Sequence, residues 1–497
     1  MTPKGLNKRL FMAGAQCQLR LYNLLNRQVE AAPPNEVQAA IFATSRELEA
    51  LAASHFKDAV YIPVTDTPSE VAAELTSDAL NRGEQQIIEA AFLSPLGRTR
   101  IDIVLAEDPT TLHLIEIKAS AKLKSAHQRG MAWQAHMVQS AGYAIASCQI
   151  WTVNRNYVLG KSGLNINQFF NRHTITDNVL EKLEKISTEH HRAMEVLRFE
   201  DAPSVAVGSH CNRPHPCEFK DVCLPVKRVA PPNNLVEIPE CGLGTRERLF
   251  AKGVYRVEDI IDLEGFEPHQ KRAIESIQAD RPRGSPDLAD RLTELKYPIH
   301  HIDFESYALT IPKFETMQPF EPLPFQFSNH IEYGDGHVEH RTFLHEERSD
   351  PRRAFSEALI QAVGTKGTLC IYSNYETVAI RRLAAVFPDL NKELLAISER
   401  TFDLALLIKK HFYHPGFKGS YSLKSVLPAL VGDMGYDGLI IKDGRDAMES
   451  YMKTIDLEDE SLRQRIFSAL HEYCAVDSFA LLRIRHELED FAALGNC

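Results

Sequence analysis

The alternation of apolar and polar positions is clearest in RTRIDIVLAEDPTTLHLIEIK (98–118), where it predicts two strands joined by a turn at Asp108-Pro109. Side chains at i and i+2 of a strand share one face, so Glu116 and Lys118 point the same way, and pairing of the strands brings Asp102 beside them. Around this hairpin, helical patterns alternate with short apolar runs, which predicts an α/β arrangement. The predicted helices cover 5–30, 34–52, 68–82 and 120–145, and further strands cover EAAFLSP (89–95) and QIWTVNRNYV (149–158).

A second α/β pattern begins near residue 290. KYPIHHIDFESYAL predicts a strand that carries Asp303 and Glu305 on one face, and PFQFSNHIEY and HVEHRTFLHE predict the next two strands of a meander. A helix in SDPRRAFSEALIQAV, a strand in GTLCIYS and a final helix over roughly 459–492 follow.

Proline-rich stretches separate these patterns. KRVAPPNNLVEIPE and RPRGSP predict boundaries, which gives a first domain over 1–228, a helical linker over 229–288 and a last domain over 289–497. Within the linker, a short helix, a Gly-Leu-Gly turn and a second helix fit a helix–hairpin–helix whose turn amides grip one phosphate, and a plain helical spacer fits equally well.

Composition narrows the class of protein. The 497 residues are 44% hydrophobic and 25% charged, as in soluble globular proteins, and there is no apolar run that predicts a membrane span or a signal peptide. We therefore expect a cytoplasmic location. A net charge of −11 argues against a binder coated in positive charge, but a nuclease needs only a local basic groove. The nine cysteines predict reduced thiols or metal ligands rather than disulfides.

Two carboxylates and a lysine are the groups that a metal-dependent phosphodiester hydrolase needs. Asp102 and Glu116 would hold Mg²⁺ or Mn²⁺ through oxygen ligands, and Lys118 would orient water or stabilise charge on the phosphate. The alternative is an ordinary hairpin with its charges in solvent.

A second chemical signal is HCNRPHPCEFKDVC, residues 210–223. Three cysteines, Cys211, Cys217 and Cys223, are each separated by five residues and leave a tetrahedral zinc ion or a [4Fe–4S] cluster one ligand short. His210 or His215 would complete a zinc site, and Cys17 would complete a cluster. Three reduced structural cysteines are the remaining alternative.

The order of these motifs resembles the RecB-like iron–sulphur nucleases of the PD-(D/E)XK fold, such as the CRISPR-associated spacer-processing exonucleases and the AddB nuclease domain. The resemblance covers about 5–226, although the spacing C-x5-C-x5-C departs from the usual C-x2-C-x5-C. It implies that Cys17, Cys211, Cys217 and Cys223 bind a [4Fe–4S] cluster and that Asp102, Glu116 and Lys118 form an active site.

The same resemblance implies a catalytic glutamine on a helix and an early metal ligand. Gln134 is the preferred glutamine, and Gln139 with Tyr143 is the alternative. The early ligand is Glu49 or His55.

The last domain resembles the DnaQ-like DEDD 3′–5′ exonucleases, in the variant that uses tyrosine, and the ribonuclease-H-like fold. This resemblance implies that Asp303, Glu305, Glu376 and Asp477 ligate two metal ions and that Tyr473 orients the attacking water. Glu376 stands where aspartate is usual, and Asp403 is a supporting residue.

The whole chain resembles an uncharacterised prokaryotic family that fuses a RecB-like iron–sulphur domain to a DnaQ-like domain. That resemblance implies a metal-dependent nuclease acting on single-stranded DNA or DNA ends, with RNA as an alternative substrate and no protein partner assigned. Repair, defence or mobile-element processing would be its context. The alternative is a nucleic-acid-binding scaffold with one or both sites inactive.

Overall fold

Two units make up the computed structural model, which describes residues 5–26, 36–206, 208–219, 223, 234–432 and 434–495. The first unit comprises Met1–Leu224 with Leu309–Phe320, and the second comprises Pro225–Ala308 with Glu321–Cys497. Each unit contains a mixed sheet with helices packed on it, so the predicted α/β class is confirmed. No described helix is both long and apolar enough to span a bilayer.

The sheet of the first unit has the spatial order β1-β2-β3-β4-β5-β6. Its β1–β2 and β4–β5 pairs are parallel, and its other pairs are antiparallel. The strands are β1 (Val60–Tyr61), β2 (Gln86–Ser94), β3 (Gly97–Asp108), β4 (Thr111–Lys118), β5 (Ala144–Val153) and β6 (Phe170–Thr174). The helices are α1 (Lys8–Gln16), α2 (Gln18–Asn26), α3 (Glu36–Ala53), α4 (Ser69–Asn81), α5 (Ser125–Ser140), α6 (Ile166–Phe169), α7 (Thr176–Leu180) and α8 (Leu183–Val196).

Apolar side chains cover both faces of this sheet. Leu112 and Leu114 of β4 pack in one core with Trp133 of α5, and Ile115 and Ile117 pack in another core with α3. Because side chains alternate along a strand, the next residues on the α5 face after Leu114 are Glu116 and Lys118. The switch from leucine to charged residues on one face of β4 therefore places the acid and the lysine beside α5.

The sheet of the second unit has the spatial order β10-β9-β8-β11-β12, antiparallel from β10 to β8 and parallel from β8 to β12. A separate antiparallel pair joins β13 to β7. The strands are β7 (Arg283–Gly284), β8 (Ile299–Ala308), β9 (Pro322–Glu332), β10 (Val338–Leu344), β11 (Thr368–Ile371), β12 (Thr401–Asp403) and β13 (Phe412–Tyr413).

Helices of the second unit begin in the segment predicted as a linker. They are α9 (Leu243–Ala251), α10 (Pro268–Ala279), α11 (Leu288–Leu292), α12 (Pro351–Val363), α13 (Tyr375–Val386), α14 (Asn391–Ser398), α15 (Leu404–His411), α16 (Leu423–Leu430), α17 (Gly444–Asp456) and α18 (Glu460–Ala493). Ile274 of α10, Leu407 of α15 and Leu481 of α18 share one core. The 234–288 segment therefore packs into the second unit.

Two predictions about helices are wrong. The helix predicted over 5–30 is interrupted at Cys17, which is extended (φ −163°, ψ 125°) between α1 and α2. The predicted helix before the Gly-Leu-Gly turn is a single 3-10 turn, Leu235–Glu237, and Gly242 caps α9 directly. Pro239 disfavours helical backbone at the preceding Ile238, which is extended.

Candidate functional site

The hairpin of β3 and β4 brings three predicted residues of the first unit together. Ile103 pairs with Ile115, so Asp102 and Glu116 are neighbours across the two strands. The Lys118 ammonium lies 2.5 Å from Glu116 Oε2 and 4.0 Å from Asp102 Oδ2. Asp102 Oδ2 also accepts a hydrogen bond from the Ile117 amide at 2.7 Å. The carboxylates and the lysine therefore form one contiguous cluster.

Gln134 of α5 and Lys8 of α1 complete this cluster. The Gln134 side-chain amide donates to Glu116 Oε1 and to the Arg100 carbonyl, the latter at 2.8 Å. Lys8 Nζ donates to Glu116 Oε2 at 2.8 Å and to Gln134 Oε1 at 2.6 Å. The structure thus brings Gln134 to the acids, and it adds Lys8, which no sequence motif indicated.

Burial and neighbouring charges shift the pKa values of Asp102 and Glu116 in opposite directions. Burial and the neighbouring Glu116 charge raise the pKa of Asp102 well above its usual range. Burial also acts to raise the pKa of Glu116, but Lys118 and Lys8 outweigh it and bring the value to about 2. Glu116 is therefore the ionised acid of this cluster, and its charge raises the pKa of Lys118 in turn.

Glu49, rather than His55, lies in the cleft that contains these residues. The cleft has a volume of about 430 Å³, and burial raises the pKa of Glu49. His55 is exposed, and its ring packs edge-on against Phe56. The alternative glutamine, Gln139, is also exposed. Cationic and polar groups of the same cleft come from α1 and β3: Asn7, Lys8, Arg9, Arg98 and Arg100.

Glu89 is an acid near the cluster that sequence reasoning missed. Burial and the Glu49 charge raise its pKa to about 7. It has φ 59°, in the left-handed region that non-glycine residues rarely adopt, and β2 pairs with β3 on both sides of it but not at that position. The register of the pair is the same on both sides of Glu89, so Glu89 stands opposite Asp102 across the two strands.

The four predicted cysteines line one small cavity. Cys17, at the break between α1 and α2, meets Cys211, Cys217 and Cys223 there. Gln16 fixes this arrangement by donating to the His210 and His215 carbonyls at 2.7 and 2.9 Å. All four cysteines are free thiols, and burial raises the pKa of Cys217 and Cys223.

A basic groove of about 770 Å³ runs beside the cysteines in the first unit. It is lined by the start of α5, by α8 and by the segment between Cys211 and Cys217. Arg129 is paired there with Glu189 at 2.5 Å. The other cations of the groove are Lys124, Lys182, Lys185 and Arg213.

Three acids of the second unit lie close together. One carboxylate oxygen of each of Asp303, Glu305 and Asp477 lies within 4.8 Å of the others. Among the described residues, this is the one group of three or more potential metal ligands that are so near to one another. Asp303 and Glu305 share a face of β8, and Asp477 projects from α18, which packs on β8. Two elements that lie far apart in the sequence therefore build one site.

Glu376 is buried at the start of α13, and its Oε2 atom has no hydrogen-bond partner. Burial raises its pKa to about 8. Its charge also acts on Asp303 and Glu305, so it belongs to the same electrostatic cluster. Asp403 instead caps α15, accepting from the Leu406 amide at 2.8 Å.

Two tyrosines contact Asp477. Tyr473, predicted from the sequence, hydrogen-bonds to Asp477, and so does Tyr436, which was not predicted. Burial raises the pKa of Asp477 to about 6, and these two hydroxyls hold it from rising further. Burial and Asp477 raise the pKa of Asp303 and Glu305 well above their usual range. Such crowding of buried and half-buried acids is the pattern expected where a cation binds.

Comparison with known proteins gives little beyond this geometry. A family model described as a domain of unknown function (DUF2779) matches residues 300–422, a range that includes Asp303, Glu305 and Glu376. No curated protein matches the chain. A solved structure titled "Crystal structure of SSO0001" is 12% identical over 45% of this chain and 87% of that one, with a TM-score of 0.21, which supports no statement about fold or function.

Proposed function

We propose that this protein is a metal-dependent nuclease with two separate hydrolytic sites, one in each unit. The observation that carries the proposal is the convergence of Asp303, Glu305 and Asp477 within 4.8 Å. Three acids so close together, of which Glu305 and Asp477 are buried and Asp303 is half-buried, are costly without a compensating cation. Each pair of like charges and each desolvated carboxylate opposes folding. A divalent metal removes that cost.

In the second unit, Asp303, Glu305 and Asp477 would hold Mg²⁺ or Mn²⁺, with Glu376 as the fourth acid. Bound metal supplies an activated water and stabilises charge on the phosphate in phosphodiester hydrolysis. The Tyr473 hydroxyl, which hydrogen-bonds to Asp477, would orient that water. The Oε2 atom of Glu376 is buried without a hydrogen-bond partner, which is expected of an oxygen that binds a cation. The proposed fold of this unit is ribonuclease-H-like, of the DnaQ type.

In the first unit, Asp102 and Glu116 would hold the metal, with Glu49 as the third acid of the cleft. Lys118 neutralises Glu116, and Gln134 fixes the orientation of the Glu116 carboxylate through its amide. The proposed fold of this unit is PD-(D/E)XK. Single-stranded DNA or DNA ends are the proposed substrate, with RNA as the alternative, and the basic groove offers a path for the phosphate backbone.

The four cysteines fit a [4Fe–4S] cluster better than zinc. With Zn–S bonds of about 2.3 Å, tetrahedral thiolates lie about 3.8 Å apart. No three sulphurs of the described cysteines, these four included, lie within 4.8 Å of one another. A cluster of iron and sulphide spaces its ligands more widely. Cys17, Cys211, Cys217 and Cys223 would hold it.

A cleavage assay tests the proposal. The full-length protein, purified anaerobically, is incubated with Mn²⁺ or Mg²⁺ and with DNA and RNA strands labelled at either end. Asp102→Asn, Asp303→Asn and the double variant keep side-chain size and remove charge. Glu74→Gln and Glu458→Gln, at exposed acids of the first and second units, are matched controls.

The expected result is metal-dependent cutting that each single variant reduces and that the double variant lowers at least about a hundredfold, since metal activation is worth several kcal/mol. If the double variant still cuts, neither acid cluster is a hydrolytic site. If Asp303→Asn alone abolishes cutting, the first unit is a nucleic-acid-binding scaffold.

A further inference from the structure

Lys8 is a second lysine at the acid cluster of the first unit. Its ammonium contacts Glu116 Oε2 at 2.8 Å and Gln134 Oε1 at 2.6 Å, although it lies 108 positions before Glu116 in the chain. It projects from the first residue of α1. The D…ExK motif includes Lys118 only, so Lys8 needs its own explanation.

A glycine on a neighbouring helix leaves space for the Lys8 side chain. Gly130 lies inside α5, and a Cβ added there would stand 3.0 Å from Lys8 Cε. Glycine inside a helix costs about 1 kcal/mol relative to alanine, so its presence against this side chain leaves room at a cost in stability. Asn7 caps α1 by accepting from the Leu10 amide at 3.0 Å, which fixes where the helix begins.

Lys8 and Lys118 differ in their exposure and in their neighbours. Lys118 donates to Glu116 at 2.5 Å and to the Ile117 carbonyl at 2.9 Å, with Asp102 at 4.0 Å, and its side chain is 23% exposed. The Lys8 side chain is 35% exposed and lines the cleft beside Arg9 and Arg98. Each ammonium has three donors and makes two hydrogen bonds, so the lysines differ in exposure and in the nearby Asp102 carboxylate, which lies beside Lys118.

We propose that Lys8 is a further catalytic residue of the first site, which contacts the scissile phosphate while Lys118 stays with the carboxylates. This rests on the proposed nuclease function. A phosphate oxygen is a charged acceptor that a compact ammonium binds well. Lys8 would leave Glu116 when a metal ion takes the carboxylate and would then face the phosphate in the cleft.

The test uses the full chain carrying Asp303→Asn, so that only the first site cuts. Lys8→Met removes the charge and keeps an unbranched apolar stem, and Lys8→Arg keeps the charge. Gly130→Ala moves the side chain without removing it. Lys122→Met, at an exposed lysine of the same unit, is the matched control. The readouts are kcat and KM on a labelled single strand, Mn²⁺ affinity by electron paramagnetic resonance, and the thermal unfolding midpoint.

The expected result for Lys8→Met is a fall in kcat of at least about thirtyfold, since a lost charge-assisted hydrogen bond costs about 2 kcal/mol. Lys8→Arg recovers a tenth or more of the lost rate, Gly130→Ala falls in the same direction, and Lys122→Met matches its parent. Mn²⁺ binds Lys8→Met more tightly than the parent, because a competing cation at Glu116 has gone. A merely structural lysine would instead lower the unfolding midpoint and leave Mn²⁺ affinity unimproved.

Two failures are distinguishable. If the parent cuts and Lys8→Met cuts within twofold of it, the Lys8 proposal is wrong and the nuclease proposal stands. If the parent does not cut, or if Asp102→Asn does not reduce its cutting, the first site is not hydrolytic and both proposals fail for this unit.

Discussion

Glu116 shows at the scale of one residue what a sequence pattern can predict and what it cannot. Strand alternation placed Glu116 and Lys118 on one face, and the paired strand brought Asp102 to them, as the structure confirms. The ammonium of Lys8 was not predicted. It arrives from α1, and neither spacing nor periodicity relates two positions 108 residues apart. Tyr436 at Asp477 was missed for the same reason.

His190 offers a residue-scale prediction about pH. It is fully buried, accepts from Trp133 Nε1 at Nδ1 (3.1 Å) and donates from Nε2 to the Leu96 carbonyl (3.1 Å). Burial lowers its pKa to about 4. Between pH 6.5 and 4 the unfolded chain therefore binds a proton that the folded chain refuses, so stability is present above pH 6.5 and falls as the pH falls toward 4. The loss from this group is about 3 kcal/mol.

Urea unfolding of the wild type and of His190→Gln checks this. Both tryptophans of the chain, Trp133 and Trp151, lie in the first unit, so their fluorescence reports that unit. The wild type's advantage over the variant should be largest at pH 7 and shrink toward pH 4.5. An advantage that is the same at both pH values would show that His190 is protonated in the fold without cost.

At the scale of elements, tertiary contacts interrupt the helix that the sequence predicted over 5–30. Apolar positions keep helical spacing on both sides of Cys17, so periodicity alone predicts one helix over 5–30. The chain breaks there because Cys17 turns toward the other cysteines and Gln16 bonds to their loop. Strands were predicted better, because alternation and turn residues are local.

The docking of α1 gives an element-scale prediction. Leu6 bridges Gly97 at the start of β3, and the Arg98 amide donates to the Leu6 carbonyl at 3.0 Å. A Cβ at Gly97 would stand 2.2 Å from that carbonyl oxygen. Gly97→Ala should therefore lower the free energy of unfolding of the first unit by about 1–3 kcal/mol, the usual cost of overpacking. Urea unfolding followed by tryptophan fluorescence measures it.

Gly160→Ala is the matched control, because nothing lies within 4 Å of a Cβ built there. If the two variants unfold alike, the contact between Leu6 and Gly97 does not constrain the start of α1, and the account of how Lys8 is positioned loses its anchor.

At the scale of the whole molecule, local patterns located acid- and cysteine-bearing segments but not how distant segments combine. Residues 309–320 group with the first unit although they join β8 to β9, two strands of the second. Ile311 and Phe320 pack against the core that contains Trp151. A loop between two predicted strands carries no local signal of where it packs, so boundaries drawn from composition cannot find such an exchange.

The cysteine cavity gives a prediction for the whole protein. Cys17→Ser should lose the brown absorbance and most of about four irons per chain, because the proposed cluster would lose one of its four thiolate ligands. It should also lower the unfolding midpoint of the first unit, since metal-site binding energy contributes to folding. Cys241→Ser, outside the cavity, should keep its iron. Zinc in place of iron in anaerobically purified wild type would contradict the cluster.

The central claim is that acids far apart in sequence gather into two cation-holding sites, and anomalous diffraction from crystals soaked in Mn²⁺ tests it most directly. The account predicts manganese peaks coordinated by Asp303, Glu305 and Asp477 in the second unit and by Asp102 and Glu116 in the first. Crystals that diffract well and show no manganese at either set of carboxylates would contradict it.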